Sequence, residues 1–146
     1  MASIFTKIID GDIPGYIVAE ESDYIAFLDI CPLTTGHTLV VPKKEIDYLF
    51  DLNDTAFTEL MLFAKKVAVG MQQVVPCLRV GMAVVGLEVP HAHIHLVPLN
   101  DQYDIDFKKT RLQQNQSVLN NMAQKLQTAI GITSFLRHRT ENKNGY

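Results

Sequence analysis

The stretch His91-Ala92-His93-Ile94-His95-Leu96-Val97-Pro98 places a histidine at every second position. Alternate side chains of a β-strand point to opposite faces, so a strand would hold the three histidines in one row. The apolar residues between them would then face a core. A helix would spread the three rings over about 200°, because successive residues turn by about 100°. The stretch therefore predicts a strand that presents a row of imidazoles on one face.

A row of imidazoles can be interpreted in three ways, two of which give it a chemical function. One ring can act as a nucleophile or base while its neighbours position it. The row can instead bind a metal ion, because histidine is the commonest metal ligand. The three could also be unrelated surface histidines on an edge strand. Because three of the five histidines of the chain lie in this stretch, we favour catalysis or anion binding.

Length and composition describe a small single-domain protein. The chain has 146 residues and a formal charge of −3, which argues against a nucleic-acid partner. No apolar run is long enough to span a bilayer and no signal peptide is recognisable, so we expect no membrane partner. Cys31 and Cys77 indicate free thiols and a cytoplasmic location. We predict one domain over residues 1–138 and a polar, disordered tail over 139–146.

Five segments are predicted to be strands. Residues 16–20 and 24–28 are rich in β-branched and aromatic residues and flank a charged turn, which is typical of a β-hairpin. A third strand is predicted at residues 37–41. The apolar runs at 78–85 and 91–97 flank a glycine- and proline-containing connection, which predicts two adjacent antiparallel strands.

Two segments are predicted to be helices. Between residues 53 and 71, apolar residues recur at three- and four-residue spacing, with Asn53 or Asp54 as the N-cap. A second helix is predicted at 119–130, ending at Gly131. Strands and helices in this order predict an α+β fold with a mostly antiparallel sheet and two α-helices.

The histidine stretch resembles the His-x-His-x-His signature of the histidine-triad (HIT) superfamily of nucleotide hydrolases and transferases. Residues 4–14 are similar to the opening of that family, and residues 27–32 and 36–43 are similar to its second block. Order and spacing agree from about residue 4 to residue 98. The resemblance implies a HIT-like fold and a small-molecule nucleotide substrate.

The resemblance implies a role for each of four histidines. Family members hold a nucleoside phosphate with its α-phosphorus facing the middle histidine, so His93 would be the nucleophile and would form a covalent nucleotidyl-histidine. His91 and His95 would flank the phosphate and donate hydrogen bonds to its oxygens. His37 matches a fourth histidine that supports the triad in a relay. A neutral imidazole suits this role if its other nitrogen donates to a fixed acceptor.

The resemblance also implies a nucleoside site. Asp29 would bind the ribose hydroxyls, since a carboxylate can accept hydrogen bonds from a diol, and Val89 would lie beside the sugar or phosphate. Asp29 could instead be a turn residue, and His37 a strand-end histidine. Five apolar side chains would line a slot for the base, although two of them, Phe27 and Ile8, would be core residues in any fold of this pattern. The five are Phe5, Ile8, Ile13, Phe27 and Ile30.

The chain departs from the family pattern before the triad and at the N-terminus. Many members carry Gly-Gln-x-Val before the triad, with a small hydroxyl residue at x, whereas here Leu87 and Glu88 occupy the middle positions. An unpaired Glu88 facing the phosphate would weaken anion binding; it could instead act as a leaving-group acid or turn towards a cation. Ser3 and Thr6 stand where some relatives use cysteines for structural zinc, and they are poor zinc ligands. We therefore predict no metal, and no cofactor.

These features predict a hydrolase that cleaves a phosphoanhydride or phosphoramidate at the α-phosphorus of a nucleoside compound. Nucleoside phosphoramidates, dinucleoside polyphosphates and aminoacyl-adenylates are all open as substrates. Two alternatives remain: a nucleotide sensor or scaffold with little turnover, and a metal-binding protein that uses the histidine row. Small family members are often homodimers, and the helix at 53–71 and the stretch 78–85 could form a two-fold interface.

Overall fold

A five-stranded antiparallel sheet forms the centre of the protein, in a computed structural model that describes residues 2–132. The strands are β1 (Ile17–Glu20), β2 (Tyr24–Leu28), β3 (Thr38–Pro42), β4 (Arg79–Ala83) and β5 (Ile94–Leu99). Their order across the sheet is β1-β2-β3-β5-β4, and every neighbouring pair is antiparallel. The predicted hairpin and the predicted pairing of the fourth and fifth strands are confirmed. The predicted tail at 139–146 lies outside the described residues.

In the described part of the chain, three α-helices accompany the sheet: α1 (Ile4–Ile9), α2 (Asp54–Val74) and α3 (Gln116–Ile130). The Asn53 side chain accepts a hydrogen bond from the Ala56 N–H and caps α2, while Gly131 ends α3 with a φ of 76°. The α+β class is confirmed, with one helix more than the predicted two. The additional helix, α1, has six residues, too few for a helical periodicity to stand out in a sequence.

Each face of the sheet is covered by its own apolar cluster. One face packs against α2 and α3 through Ala92, Ile94 and Leu96 together with residues of the other strands. These three side chains alternate with the histidines, so the predicted core-facing side of this stretch is confirmed. The opposite face carries a smaller cluster that includes Phe5 and Phe27. Because successive side chains of β2 point to opposite faces of the sheet, this one strand contributes residues to both clusters.

The strand predicted at 91–97 begins only at Ile94. The last residue of the neighbouring β3 is Pro42, which has no N–H to donate to a further ladder. Instead, the Ala92 N–H donates to the Ile46 carbonyl oxygen over 2.6 Å. His91 and His93 therefore lie in the segment just before β5, and His95 lies inside it. Among residues 2–132, no helix is both long enough and apolar enough to cross a membrane.

Candidate active site

A cleft of about 360 Å³ lies beside the histidine stretch. Five of the predicted site residues contribute to its walls: Phe5, Asp29, Val89, His93 and His95. They come from α1, from the loop after β2, from the segment that leads into β5 and from β5 itself. The fold therefore joins sequence regions that are up to 90 residues apart in one concave surface, as expected of a small-molecule site.

The three histidines of the stretch form a buried row. The rings of His93 and His95 lie 4.9 Å apart, measured between centroids, in an edge-on arrangement. Phe5 fills the space between His91 and His93, with its ring centroid 5.8 Å and 5.0 Å from theirs. All three imidazoles are buried, His91 completely. Such contacts hold each ring in one orientation.

The orientation of His93 is set by the backbone. Its Nδ1 lies 2.8 Å from the carbonyl oxygen of His91. A carbonyl oxygen can only accept, so Nδ1 carries the proton and donates it to this bond. In the neutral ring the lone pair then resides on Nε2, with which no residue in the described part of the chain forms a hydrogen bond. His93 thus presents a nucleophilic nitrogen at the wall of the cleft.

His37 and His95 form a relay whose direction can be deduced. The Leu33 N–H donates to Nδ1 of His37 over 3.0 Å, so the remaining proton of the neutral His37 ring is on Nε2. That nitrogen lies 2.9 Å from Nδ1 of His95 and donates to it. His95 must therefore carry its own proton on Nε2. Because His95 lines the cleft, the relay provides a hydrogen-bond donor there.

Burial keeps both relay histidines neutral. Desolvation is the largest cause that lowers the pKa of His37 to about 3, and the nearby Arg111 cation adds to it. The pKa of His95 is also lowered to about 3, again chiefly by desolvation. A charged ring would lose its hydration here. The Asp29 carboxylate, whose Oδ2 lies 3.9 Å from Nε2 of His37, offsets this cost only in part, because it is already paired with Arg111. Near pH 7 the two rings therefore hold the tautomers described above.

The structure corrects the role expected for His91. Its Nε2 donates to the Pro42 carbonyl oxygen over 2.7 Å, and its Nδ1 accepts from the Ser3 hydroxyl over 2.8 Å. Both ring nitrogens are thus occupied, and the ring lies outside the cleft. His91 cannot donate to a phosphate in this arrangement. Its backbone carbonyl oxygen accepts the Nδ1 proton of His93 and so fixes the orientation of that ring.

Ser3 and Thr6 fasten α1 against this part of the site. The Ser3 hydroxyl accepts the Thr6 N–H over 3.0 Å and caps the helix. The Thr6 hydroxyl donates to the Glu45 carboxylate over 2.9 Å, as does the Ser3 N–H. The two hydroxyls that stand in place of zinc-binding cysteines are therefore engaged with protein groups. Because α1 carries Phe5, this network also positions the aromatic wall of the cleft.

Asp29 is a turn residue, and its carboxylate also lies at the cleft. Its Oδ1 accepts the Cys31 N–H over 2.9 Å, which is a side-chain turn typical of aspartate. Its Oδ2 accepts a hydrogen bond from Nη1 of Arg111 over 3.2 Å. The carboxylate nevertheless lines the cleft, and each oxygen has a second lone pair available. Asp29 is thus a turn residue that also offers acceptors to the cleft.

The other residues predicted for the base slot lie outside the walls of this cleft. Phe27 is 2% exposed and packs edge-on against Phe5, with 5.4 Å between centroids. Phe27 is a core residue behind the wall of the cleft, and Ile8 is partly buried and packs against the same cluster. Ile13 is half-buried and Ile30 is 60% exposed, so both are placed elsewhere on the surface.

Phe107 and Arg111 are among the cleft residues that were not predicted. They lie between the 3₁₀ helix Gln102–Ile105 and α3, in a segment without periodicity. Phe107 packs edge-on against His95, with 4.7 Å between centroids, and the Arg111 guanidinium lies 5.7 Å from the Phe107 ring centroid. The only signal in the sequence was an aromatic and a basic residue shortly after the triad.

Leu87 and Glu88, the two departures from the family pattern, both line the cleft and both are exposed. Within residues 2–132, no hydrogen bond or ion pair involves the Glu88 carboxylate. Within the described residues, this negative charge of the cleft wall therefore has no cationic partner. A substrate group beside it is favoured if it is neutral or positive and disfavoured if it is a further phosphate.

Asp29, His37 and His95 are the candidate metal ligands of the described residues, with ligand atoms within 4.8 Å of one another. In the observed arrangement, however, the two imidazoles are hydrogen-bonded to each other. The Arg111 guanidinium already provides a cation at Asp29, so a metal ion would meet like-charge repulsion. The geometry fits a neutral relay better than a metal site.

Comparison with known proteins places this architecture in a family. A model of the HIT domain matches residues 10–102, which is more than half of the chain. An adenosine 5′-monophosphoramidase of Schizosaccharomyces pombe is 35% identical over 108 residues, covering 72% of this chain and 80% of the relative. An uncharacterized HIT-like protein of Borreliella burgdorferi is 34% identical over 113 residues, covering 73% and 81%. The crystal structure of a Hit-like protein from Bartonella henselae superposes with a TM-score of 0.75 at 27% identity, covering 87% of this chain and 95% of that one. The chain therefore belongs to the HIT domain family.

Proposed function

We propose that this protein is a nucleotide hydrolase that cleaves a bond at the α-phosphorus of a nucleoside compound, with His93 as the nucleophile. The observation that carries the proposal is the hydrogen bond from Nδ1 of His93 to the His91 carbonyl oxygen, over 2.8 Å. This bond leaves the lone pair on Nε2 at the wall of the cleft. The likeness to an adenosine 5′-monophosphoramidase supports the same activity.

The reaction proceeds in two displacements. In the first, Nε2 of His93 attacks the α-phosphorus, the P–N bond to histidine forms, and the bond to the leaving group breaks. The leaving group departs with the bonding electron pair and takes up a proton from solvent. The ring becomes cationic, and the His91 carbonyl oxygen stabilises it through the Nδ1 proton. In the second, water attacks the phosphorus, the P–N bond breaks, and a nucleoside monophosphate and a neutral His93 are released.

His95 and His37 stabilise the charge that develops on the phosphate. The Nε2–H of His95 donates to a phosphate oxygen, and His37 holds the His95 ring in the donor tautomer. A pre-oriented donor of this kind stabilises the transition state without reorganisation, which is the main contribution that a protein makes to transfer at phosphorus. Asp29 binds the ribose hydroxyls, and Phe5 and Val89 contact the nucleoside.

Among the open substrates, we favour a nucleoside phosphoramidate over a dinucleoside polyphosphate. The exposed Glu88 carboxylate in the cleft wall has no cationic partner within the described residues and repels additional phosphates. An amine leaving group adds no negative charge and gains a favourable interaction with Glu88 once it is protonated. Leu87 provides an apolar surface beside it.

The test is a reaction of the chelator-treated protein with adenosine 5′-phosphoramidate and with a diadenosine polyphosphate, followed by intact-mass measurement. We expect a nucleotidyl adduct on the wild type and none on His93→Ala, whose turnover should fall by about a thousandfold or more while AMP binding is retained. Binding without adduct or product would favour the sensor alternative. Activity that requires added metal would favour the metal alternative.

We further propose a homodimer built on β4 and α2. Among the described residues, the edge strand β4 pairs on one side only, and apolar side chains along and around it are exposed, including Met82 at 44% and Leu78 at 76%. Val69 of α2 adds to the same surface at 51%. An unpaired edge flanked by an apolar patch is typical of an interface. Light scattering should give twice the chain mass for the wild type and the single-chain mass for Met82→Asp.

Both described cysteines are free, which supports the proposal of a reducing, cytoplasmic location.

A further inference from the structure

We propose that Arg111 is a specificity-determining residue that positions the Asp29 carboxylate for a ribose with free 2′ and 3′ hydroxyls. This inference deepens the proposed function and rests on it, because it takes Asp29 as the ribose-binding group. Arg111 acts through Asp29 and does not touch the reacting phosphorus, so it is a positioning residue.

The segment that carries Arg111 is held beside the loop that carries Asp29. We call residues 106–114 the crossing segment. Its Leu112 N–H donates to the Pro32 carbonyl oxygen over 2.9 Å. Its Gln114 side chain donates to the Thr35 hydroxyl, also over 2.9 Å. These bonds follow Arg111 directly in the chain, so the base of its side chain has a defined place.

The Arg111 guanidinium connects the carboxylate to the backbone of its own loop. Nη1 donates both to Oδ2 of Asp29, over 3.2 Å, and to the Cys31 carbonyl oxygen, over 2.9 Å. The Cys31 N–H holds the other carboxylate oxygen. The carboxylate is therefore fixed at both ends, and each oxygen retains one lone pair. Those two acceptors match the two hydroxyls of a ribose.

Phe107 limits the orientation of the guanidinium. It lies under Arg111, at 5.7 Å from the ring centroid to Cζ, and against His95 on its other side. The side chains of Arg111 and Asp29 are 30% and 17% exposed, so the ion pair is partly shielded from water. A planar, pre-oriented donor of this kind holds a carboxylate in one rotamer, which a flexible ammonium does less well.

Loss of Arg111 would release one end of the carboxylate. Asp29 would keep only the Cys31 N–H and would rotate about its side-chain bonds, so that the ribose would have to order it on binding. The affinity for a ribonucleotide should therefore fall, and the preference for ribose over deoxyribose should fall with it. Attack by His93 uses other groups, so kcat should change little.

The experiment measures kcat and KM of wild type, Arg111→Gln, Arg111→Lys and Asp29→Ala with adenosine 5′-phosphoramidate and its 2′-deoxy analogue. The matched control is Lys108→Gln, which removes an exposed cation from the same segment. For Arg111→Gln we expect about a tenfold rise in KM for the ribonucleotide, kcat within about twofold, and a ribose preference reduced to about threefold or less. Arg111→Lys should recover part of the preference, and Lys108→Gln should match the wild type.

The double variant Asp29→Ala/Arg111→Gln decides whether Arg111 acts through Asp29. If it does, the double variant has the same KM as Asp29→Ala alone, because the effects of coupled residues do not add. A KM of the double variant that is a further tenfold above that of Asp29→Ala would overturn the inference and indicate direct contact between Arg111 and the substrate. An Arg111→Gln protein that keeps the wild-type ribose preference would overturn it as well.

Calorimetric binding of AMP and 2′-deoxy-AMP separates this inference from the proposed function. A wild type that binds AMP more tightly than 2′-deoxy-AMP, but cleaves neither substrate, would refute hydrolysis. The role of Arg111 would then be tested by the same variants through binding alone. Equal affinity of the wild type for the two ligands would refute the assignment of Asp29, and the role of Arg111 with it.

Discussion

Acidification should destabilise this protein through its two relay histidines. In the folded state the pKa of His37 and that of His95 are both about 3, against an ordinary value of 6.5. Between these values an unfolded chain binds a proton at each position and the folded protein does not. Protons therefore favour the unfolded state, and stability falls as the pH drops below about 6.5.

The size of the effect follows from the same values. At about pH 5, each histidine is protonated in the unfolded chain and neutral in the folded protein. Since one pKa unit corresponds to about 1.4 kcal/mol, each site costs about 2 kcal/mol relative to pH 7. The pair together costs about 4 kcal/mol, which is a large part of the 5–15 kcal/mol typical of a domain.

The assay is urea unfolding of wild type and His37→Gln at pH 7 and pH 5. The substitution itself changes the free energy of unfolding at both pH values. We therefore compare, for each protein, only the difference between its free energies of unfolding at pH 7 and at pH 5. We expect that difference to be about 2 kcal/mol smaller in His37→Gln, because one of the two sites is gone. Equal differences in the two proteins would refute the reasoning. If His37→Gln does not fold, NMR titration of the wild type replaces it, and a His37 ring signal that titrates between pH 8 and 5 would refute it.

Two further changes test the packing around the site. Gly70→Ala should destabilise the protein by about 1–3 kcal/mol, because a Cβ there would lie 3.1 Å from the Ile130 backbone and closer still to its side chain. An unchanged melting temperature would contradict the contact between α2 and α3. Ser3→Ala removes the cap of α1 and the donor to His91, so it should cost about 1–2 kcal/mol in urea unfolding. Its kcat should stay within about threefold of wild type, since the His91 carbonyl still orients His93; a loss of more than a hundredfold would assign the Ser3 hydroxyl a direct role in orienting the nucleophile.

Local features of the sequence were enough to predict much of the fold. The alternation of His93 and His95 with Ile94 and Leu96 identified a strand with one core face, because side-chain direction in a strand depends only on position along the chain. The spacing of apolar residues and the Asn53 cap identified α2 for the same reason. The short helix α1 was not predicted, because its six residues do not complete two turns and show no helical periodicity.

The tertiary structure decided how these elements form a site. Arg111 meets Asp29 across 82 residues of sequence, and the Leu33 N–H sets the proton positions of His37 and, through it, of His95. The Pro42 carbonyl and the Ser3 hydroxyl turn the His91 ring away from the cleft. None of these partners follows from a periodic pattern, because hydrogen bonds between distant segments depend on how the sheet and loops bring them together. The sequence alone thus determined which imidazoles are present and that they alternate with core-facing residues, while the packing of distant segments determined the proton positions and the orientation of each ring.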